Sequence, residues 1–210
     1  GADPDKIWEF NNKEISLYEN NIKKIIKSAS YPFLKKLIEE FNFPLPKNLP
    51  PICSLLVGYF SYDIIRYIEK IPNNCMDDLK IPDIRLIRPK TIIIHDNFDK
   101  KIYYIKNCFA DEKIDNYKQY YLNTIKNIIE LNNLTIRKNK YIKSKKKIRK
   151  NKIKSNISKS EFKRIVLKAK NYIRKGDIFQ VVISQRFETK LTKTPLEIYK
   201  KLRIDNPSPF

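Results

Sequence analysis

The stretch GDIFQVVISQRF, residues 176 to 187, places polar side chains in a run that otherwise has the composition of a buried strand. Successive side chains of a strand point to opposite faces. One face of this strand would be largely apolar, and the other would carry Gln180, Ser184 and Arg186. Two interpretations fit this pattern. Either the sheet has one face in water, or this polar face structures a binding cavity, because a buried amide needs hydrogen-bond partners. The second amide, Gln185, shares the largely apolar face.

Helix signals flank this predicted strand on both sides. The motif SKSE at 158–161 is a capping box, in which Ser and Glu satisfy the first backbone groups of a helix. Apolar residues follow at spacings of three and four, so we predict a helix over 159–174 that ends in a left-handed cap at Gly176. A second capping box, TPLE at 194–197, has proline at the first helical position and predicts a helix to about Ile204.

The first 136 residues mix strand and helix patterns. Short apolar or β-branched runs bounded by turn residues predict strands, and apolar residues at helical spacing predict helices. We predict strands and a turn in DKIWEFNNKEISLY (5–18), a buried strand over 52–60 and two strands joined by a turn over 91–105. Helices are predicted over 31–41, within 61–72 and over 114–131.

The formal net charge of +21 is partly local. In the run 137–154, 11 of 18 residues are basic and none is acidic, and without it 33 basic and 23 acidic residues leave +10. Self-repulsion should keep such a run open, so we predict a basic linker there. A nucleic-acid-binding arm is the alternative. The run lacks glycine and regularly spaced aromatic residues, and an AT-rich genome also favours lysine, so nucleic acid is not the expected partner.

The remaining residue types indicate a reducing, cytoplasmic setting. No apolar stretch approaches the roughly 18 residues needed to cross a membrane. Cys53, Cys75 and Cys108 lie far apart and form neither a metal-binding pattern nor a disulfide framework. The single histidine, His95, falls on a predicted strand, and we expect it to be structural. The chain begins without Met and ends just after NPSP, so we expect a fragment of a longer protein.

Three motifs resemble one enzyme family. The segment IRKGDIFQVVISQRF (173–187) is similar to the opening of the chorismate-binding domain of anthranilate synthase component I. The segment PLEIYKKLRIDNPSPF (195–210) resembles the next helix of that family and its N-P-S-P-Y-M motif. VGYFSYDIIRYIEKIP (57–72) resembles the family's V-G-Y-x-x-Y-D-x-V-R-Y-x-E-x-x-P. The motifs occur in the family's order over nearly the whole chain.

The resemblance implies a fold that these patterns alone do not. It implies an α+β, anthranilate synthase-like two-sheet β-sandwich with flanking helices, incomplete at both ends. Residues 1–136 would be part of the component I N-terminal domain, 137–154 the basic linker, and 155–210 the start of the chorismate-binding domain. Such a fragment would leave strand edges unpaired, and unpaired edges favour aggregation.

The resemblance also implies an activity for the full-length protein. It would be the large subunit of anthranilate synthase, a lyase of tryptophan biosynthesis that converts chorismate and ammonia to anthranilate and pyruvate. The ammonia would come from glutamine through a partner amidotransferase, component II, and Mg²⁺ would position the chorismate carboxylate. The resemblance places the family's catalytic and metal-binding residues beyond Phe210, so we expect no catalytic or metal residues in this chain and expect it to be inactive alone.

Feedback inhibition by tryptophan is the function that the resemblance places within this chain. The family's inhibitor contacts carry over onto Pro209 and Phe210, and Asn206 and Ser208 belong to the same motif. Phe210 replaces the family's tyrosine, which removes a hydroxyl group. From the residues alone, a proline turn after a helix explains the same segment.

A second enzyme of the same superfamily is the main alternative. Aminodeoxychorismate synthase component I, of the folate pathway, more often reads G-D-C-Y-Q-V-N-L in the corresponding strand. Here Ile178, Phe179, Val182 and the pair Arg66 and Tyr67 favour anthranilate synthase.

Overall fold

The computed structural model of the chain describes residues 2–11, 14–42, 44–136 and 152–207. The chain divides into one unit within Gly1–Asn139 and a second within Lys140–Phe210. Among these described residues, the first unit has a six-stranded sheet and two α-helices, and the second has two α-helices and a two-stranded sheet. This combination confirms the predicted α+β class.

Most predicted elements of the first unit are present. Its strands are β1 (Ala2–Asn11), β2 (Glu14–Glu19), β3 (Ile22–Ile26), β4 (Val57–Phe60), β5 (Ile84–Asp96) and β6 (Lys101–Lys106). Its α-helices are α1 (Ser30–Glu40) and α2 (Tyr117–Ile136), and short 3-10 helices cover Pro51–Cys53 and Tyr62–Tyr67. The helix predicted within 61–72 is therefore of the 3-10 type, closed by the Ile68 amide donating to the Ile65 carbonyl at 3.0 Å.

The long strand β5 organises the sheet. The strand order is β3-β2-β1-β5-β4, with antiparallel neighbours, and β6 pairs with the second half of β5. The predicted β5–β6 turn is present at residues 97–100, but the side chain that closes it is Asp96 rather than the expected Asn97 or Asp99. Asp96 makes it, because its Oδ1 accepts from the amides of Phe98 at 2.9 Å and Asp99 at 3.0 Å.

One face of this sheet carries the core of the unit. Alternate residues of β1 and their cross-strand partners on β2 and β5 share that face, and α1 covers it. The spacing of apolar residues in α1 buries Leu34 and Leu37 against the sheet. The core residues are Trp8, Phe10, Ile15, Leu34, Leu37, Ile84 and Leu86.

The buried strand predicted over 52–60 is wrong in two respects. Its first residues form the 3-10 helix, and only Val57–Phe60 are in a strand. All four residues of that strand, β4, are exposed, since it lies at the edge of the sheet with β5 as its one neighbour among the described strands. Apolar composition alone does not distinguish an edge strand from a central one.

The helices of the second unit follow their predicted caps closely. They are α3 (Lys159–Lys175) and α4 (Pro195–Asp205). Ser158 caps α3 by accepting from the Glu161 amide at 3.1 Å, and Gly176 ends it with a φ of +78°. Only half of the predicted capping box forms at α3, because the Glu161 carboxylate pairs with Arg164. At α4 both halves of the predicted box are formed.

The strand predicted in GDIFQVVISQRF is wrong for most of its length. Residues 178–186 have no regular secondary structure, and only Phe187–Glu188 form a strand, β8, which pairs with β7 (Lys154–Ser155). A strand needs a neighbour that exchanges backbone hydrogen bonds. Within residues 152–207 no strand pairs with 178–186: the Asn156 backbone amide donates to the Arg186 carbonyl at 3.1 Å only at the last residue of the run, and the side chain of Phe179 is 94% exposed.

The predicted boundaries at 1–136, 137–154 and 155–210 remain a prediction, and residues 137–151 of the basic run lie outside the described part of the chain. No helix within the described residues is long and apolar enough to cross a membrane.

Candidate functional site

The motif VGYFSYDIIRYIEKIP (57–72) builds one corner of the sheet in the first unit. After β4, Ser61 donates its amide to the Asp83 carbonyl at 2.7 Å. The Tyr67 hydroxyl donates to Oδ2 of Asp83 at 3.0 Å. These bonds hold the 3-10 helix against the residue that precedes β5, so Ser61 and Tyr67 of the motif have a structural role.

Arg66 of the same motif forms hydrogen bonds with the segment that follows the 3-10 helix. Its Nε donates to Oδ1 of Asp63 at 3.1 Å. One terminal nitrogen donates to the carbonyls of Ile71 at 3.1 Å and Pro72 at 2.6 Å. A guanidinium has five N–H donors and suits such a multiple contact, which a lysine could not reproduce.

Gly58 marks a close approach of two backbones. A Cβ placed on it would lie 1.8 Å from the Arg85 carbonyl oxygen on β5. No side chain fits at that distance, so the glycine in V-G-Y is required by the β4–β5 pairing itself.

A charged cluster lies at the other end of the core-bearing face. Arg88 on β5 is 7% exposed. It donates to both carboxylate oxygens of Asp5, at 2.9 and 2.5 Å, and to Asp111 at 3.1 Å. The ring of Phe109 lies 3.9 Å from its guanidinium carbon. Asp111 also accepts from Lys6 at 2.5 Å.

The cluster shifts the pKa of Asp111. Partial burial alone would raise that pKa, but hydrogen bonds from Lys6 and Arg88 outweigh burial and lower it from 3.8 to about 2. The loop after β6, which carries Asp111, is also held to β5 by the ion pair of Lys90 with Glu112. Since these charges pair with one another, the cluster is a clamp that holds the loop after β6 against the sheet.

The clamp has no local signature in the sequence. Asp5 and Arg88 are separated by 83 residues, and Arg88 and Asp111 by 23. No local spacing links them, and only the antiparallel β1–β5 pairing, in which Lys6 lies opposite Arg88, brings them together.

The polar residues of GDIFQVVISQRF do not form one cavity in the described unit. The side-chain amide of Gln185 donates to Oγ of Ser155 at 2.6 Å, and the backbone amide of Arg186 donates to Oδ1 of Asn156 at 2.9 Å. These bonds tie the segment to β7 and to the residue that follows it. Gln180 is exposed. The two glutamines therefore have different environments, and Gln185 has the partners that a partly buried amide needs.

The predicted inhibitor-binding residues fall at the end of the described chain. Asn206 follows the last turn of α4 and donates its amide to the Leu202 carbonyl at 2.8 Å. Ser208, Pro209 and Phe210 lie outside the described residues. Their role in binding tryptophan stays a prediction.

The described part of the chain contains no metal-binding site. No group of three or more His, Cys, Asp or Glu side chains there could hold a metal ion. His95 is an exposed residue of β5 opposite Ile102, and Cys53 is a buried free thiol. Cys75 and Cys108 are exposed and free. The described residues therefore do not fit the Mg²⁺ that the resemblance implies.

The chain matches known proteins along its whole length. The family model described as chorismate binding enzyme matches residues 3–210. Anthranilate synthase component 1 of Acetivibrio thermocellus is 33% identical over 217 residues, covering 100% of this chain and 43% of that protein. The same component of Aquifex aeolicus is 34% identical over 84% of this chain and 36% of its own length.

The fold of the chain is also that of a solved structure. The crystal structure of anthranilate synthase component I from Streptococcus pneumoniae superposes with a TM-score of 0.80 at 23% identity, covering 100% of this chain and 45% of that one. The chain thus spans less than half the length of these relatives. With a family model matched over residues 3–210, the chain belongs to the chorismate-binding enzyme family.

Proposed function

We propose that the whole protein is component I of anthranilate synthase. It would convert chorismate and glutamine-derived ammonia to anthranilate and pyruvate, with an amidotransferase subunit, component II, as its partner. One observation carries the proposal: the entire chain aligns with anthranilate synthase component 1 of Acetivibrio thermocellus at 33% identity. The three sequence motifs named above lie within that alignment. The cytoplasm is the expected location.

This chain would supply scaffold and regulation rather than the reacting groups. Its motif residues Ser61, Arg66 and Tyr67 make structural bonds, and the described residues contain no metal cluster. The reaction's Mg²⁺ and its general acid would be held by residues that follow Phe210. Tryptophan, as inhibitor, would contact Pro209 and Phe210, with Asn206 and Ser208 in the same segment.

The proposal for the whole protein includes a fold with two packed β-sheets. Residues 178–186 carry the strand pattern and expose Phe179 and Val182, at 94% and 84%. Apolar side chains exposed to this degree in a strand-like run suit a segment that pairs and packs in a larger sheet. We propose the two-sheet sandwich for the whole protein, in which the side chains of Phe179 and Val182 would be covered.

The test compares the chain with the whole protein. The purified 210-residue chain, given chorismate and ammonium, should form no anthranilate. The whole protein should form anthranilate from chorismate and ammonium with Mg²⁺, and from glutamine once component II is added. Anthranilate formation by the 210-residue chain alone would contradict the assignment of the reacting groups.

The product also distinguishes the second candidate. Aminodeoxychorismate synthase component I would yield 4-amino-4-deoxychorismate, with no loss of pyruvate. The residues that favour anthranilate synthase are Ile178, Phe179 and Val182, with Arg66 and Tyr67 in the earlier motif. Release of pyruvate in equal amount with the aromatic product would support anthranilate synthase. An aminated product formed without pyruvate would instead identify the protein as aminodeoxychorismate synthase component I.

A further inference from the structure

A cleft lies on the core-bearing face of the first unit, where α1 leaves part of the sheet uncovered. Its volume is about 450 Å³, within the roughly 300–1,000 Å³ typical of sites for small molecules. The walls are Leu17 and Ile26 from β2 and β3, and Phe33 from α1, all half-buried. The cleft therefore offers an apolar surface large enough for a ring or a short aliphatic chain.

The floor of the cleft includes an indole with an unused hydrogen-bond donor. Trp8 lines the cleft and is 4% exposed. Within the described residues its Nε1 has no hydrogen-bond acceptor, and this nitrogen is not among the fully enclosed, unpartnered atoms. The N–H group is donor-only, so it can be satisfied through the cleft by an acceptor atom of a bound molecule.

Charge at the cleft favours an anion. Lys6 and Lys36 both line it, against one carboxylate, Glu40. Lys6 is held by Asp111 at 2.5 Å and Glu19 at 3.4 Å. Lys36 has no carboxylate within ion-pair distance in the described part of the chain, so its ammonium is the cation available to a ligand.

We propose that this cleft binds a small carboxylate with an apolar body. The carboxylate would accept from the Trp8 N–H and pair with Lys36, and the body would pack on Phe33. This site stands apart from the proposed activity, since it contains none of residues 206–210 and requires neither chorismate nor a metal. Its failure or success leaves the enzyme proposal unchanged.

Trp8 makes the test direct, because it is the only tryptophan of the 210-residue chain. The probe is 3-phenylpropionate, and the neutral control is 3-phenylpropionamide. The carboxylate should change Trp8 fluorescence saturably, while the amide should bind at least several-fold more weakly. An unchanged spectrum up to about 10 mM 3-phenylpropionate, or equal binding of the amide, would overturn the proposal.

Three substitutions separate the site from a general effect of charge. Lys36→Gln should weaken binding about fivefold, the magnitude of a good ion pair at an exposed position. Lys35→Gln is the matched control: Lys35 is the preceding residue of α1, pairs with Glu39 at 4.0 Å and does not line the cleft. Equal dissociation constants for these two variants would contradict the assignment. Glu40→Gln should tighten binding, because it removes the one negative charge of the lining.

Discussion

The two units of the chain form helices equally well but bury them very differently. In the first, α1 buries Leu34 and Leu37 in a core shared with β1, β2 and β5. In the second, no described residue of 152–207 is buried, although α3 and α4 both carry side-chain caps. Capping bonds are made within a few residues of the chain, whereas burial needs a second layer of structure. The difference separates what local sequence can form from what requires a partner surface.

The strongest way to test this comparison is to truncate one phenylalanine in each unit. Phe10→Ala removes a side chain that is 0% exposed and should cost about 4 kcal/mol of unfolding free energy. Phe179→Ala removes one that is 94% exposed and should cost little. Urea denaturation followed by circular dichroism measures both. A similar loss from Phe179→Ala would show that residues 178–186 are covered after all.

A second test concerns ion pairs, one in each unit. Arg88→Met leaves Asp5 and Asp111 without their shared partner, and breaking such a buried pair should cost about 3 kcal/mol. The matched variant is Arg164→Met, whose pair with Glu161 is exposed on α3 and should contribute nothing measurable. The midpoint of thermal unfolding reports both effects. Equal shifts in the midpoint would remove the distinction between a clamp and a surface pair.

The smallest expected effect is on the pH dependence of the clamp. The pKa of Asp111 is about 2 in the folded chain, below its ordinary 3.8. The folded state therefore holds the charged form more firmly, and this stabilisation is complete above about pH 4 and is lost as pH falls through about 2. The side chain of Asp111 is 42% exposed, so solvent screening reduces the effect below that of Arg88→Met.

The measurement compares unfolding free energies of the wild type and Asp111→Asn between about pH 4 and pH 2. The variant should be less stable near pH 4 and should lose less stability on acidification. Parallel pH profiles would show that Asp111 contributes no linked protonation, which would contradict the clamp.

The sequence predicted those features that depend on neighbours along the chain. Thr194 and Glu197 form the full capping box, and Gly176 has the positive φ that its position requires. Features that depend on distant residues were not accessible. The strand pattern of 178–186 carries no information on whether a neighbouring strand is present, and Arg88 and Asp111 give no local signal of their pairing. For the candidate site, the motifs identified the family, while the described residues showed that Tyr67 and Arg66 serve the fold.

Gly58 has a consequence for misfolding. Its backbone meets the Arg85 carbonyl so closely that a Cβ would lie 1.8 Å away. If β4 slipped by one residue along β5 and kept this close approach, Val57 or Tyr59 would bring a Cβ into it, so the contact opposes such a slip. An exposed edge strand is normally free to shift register or exchange between molecules. The one missing side chain therefore works as a register lock, protecting the least covered strand of the sheet from mispairing.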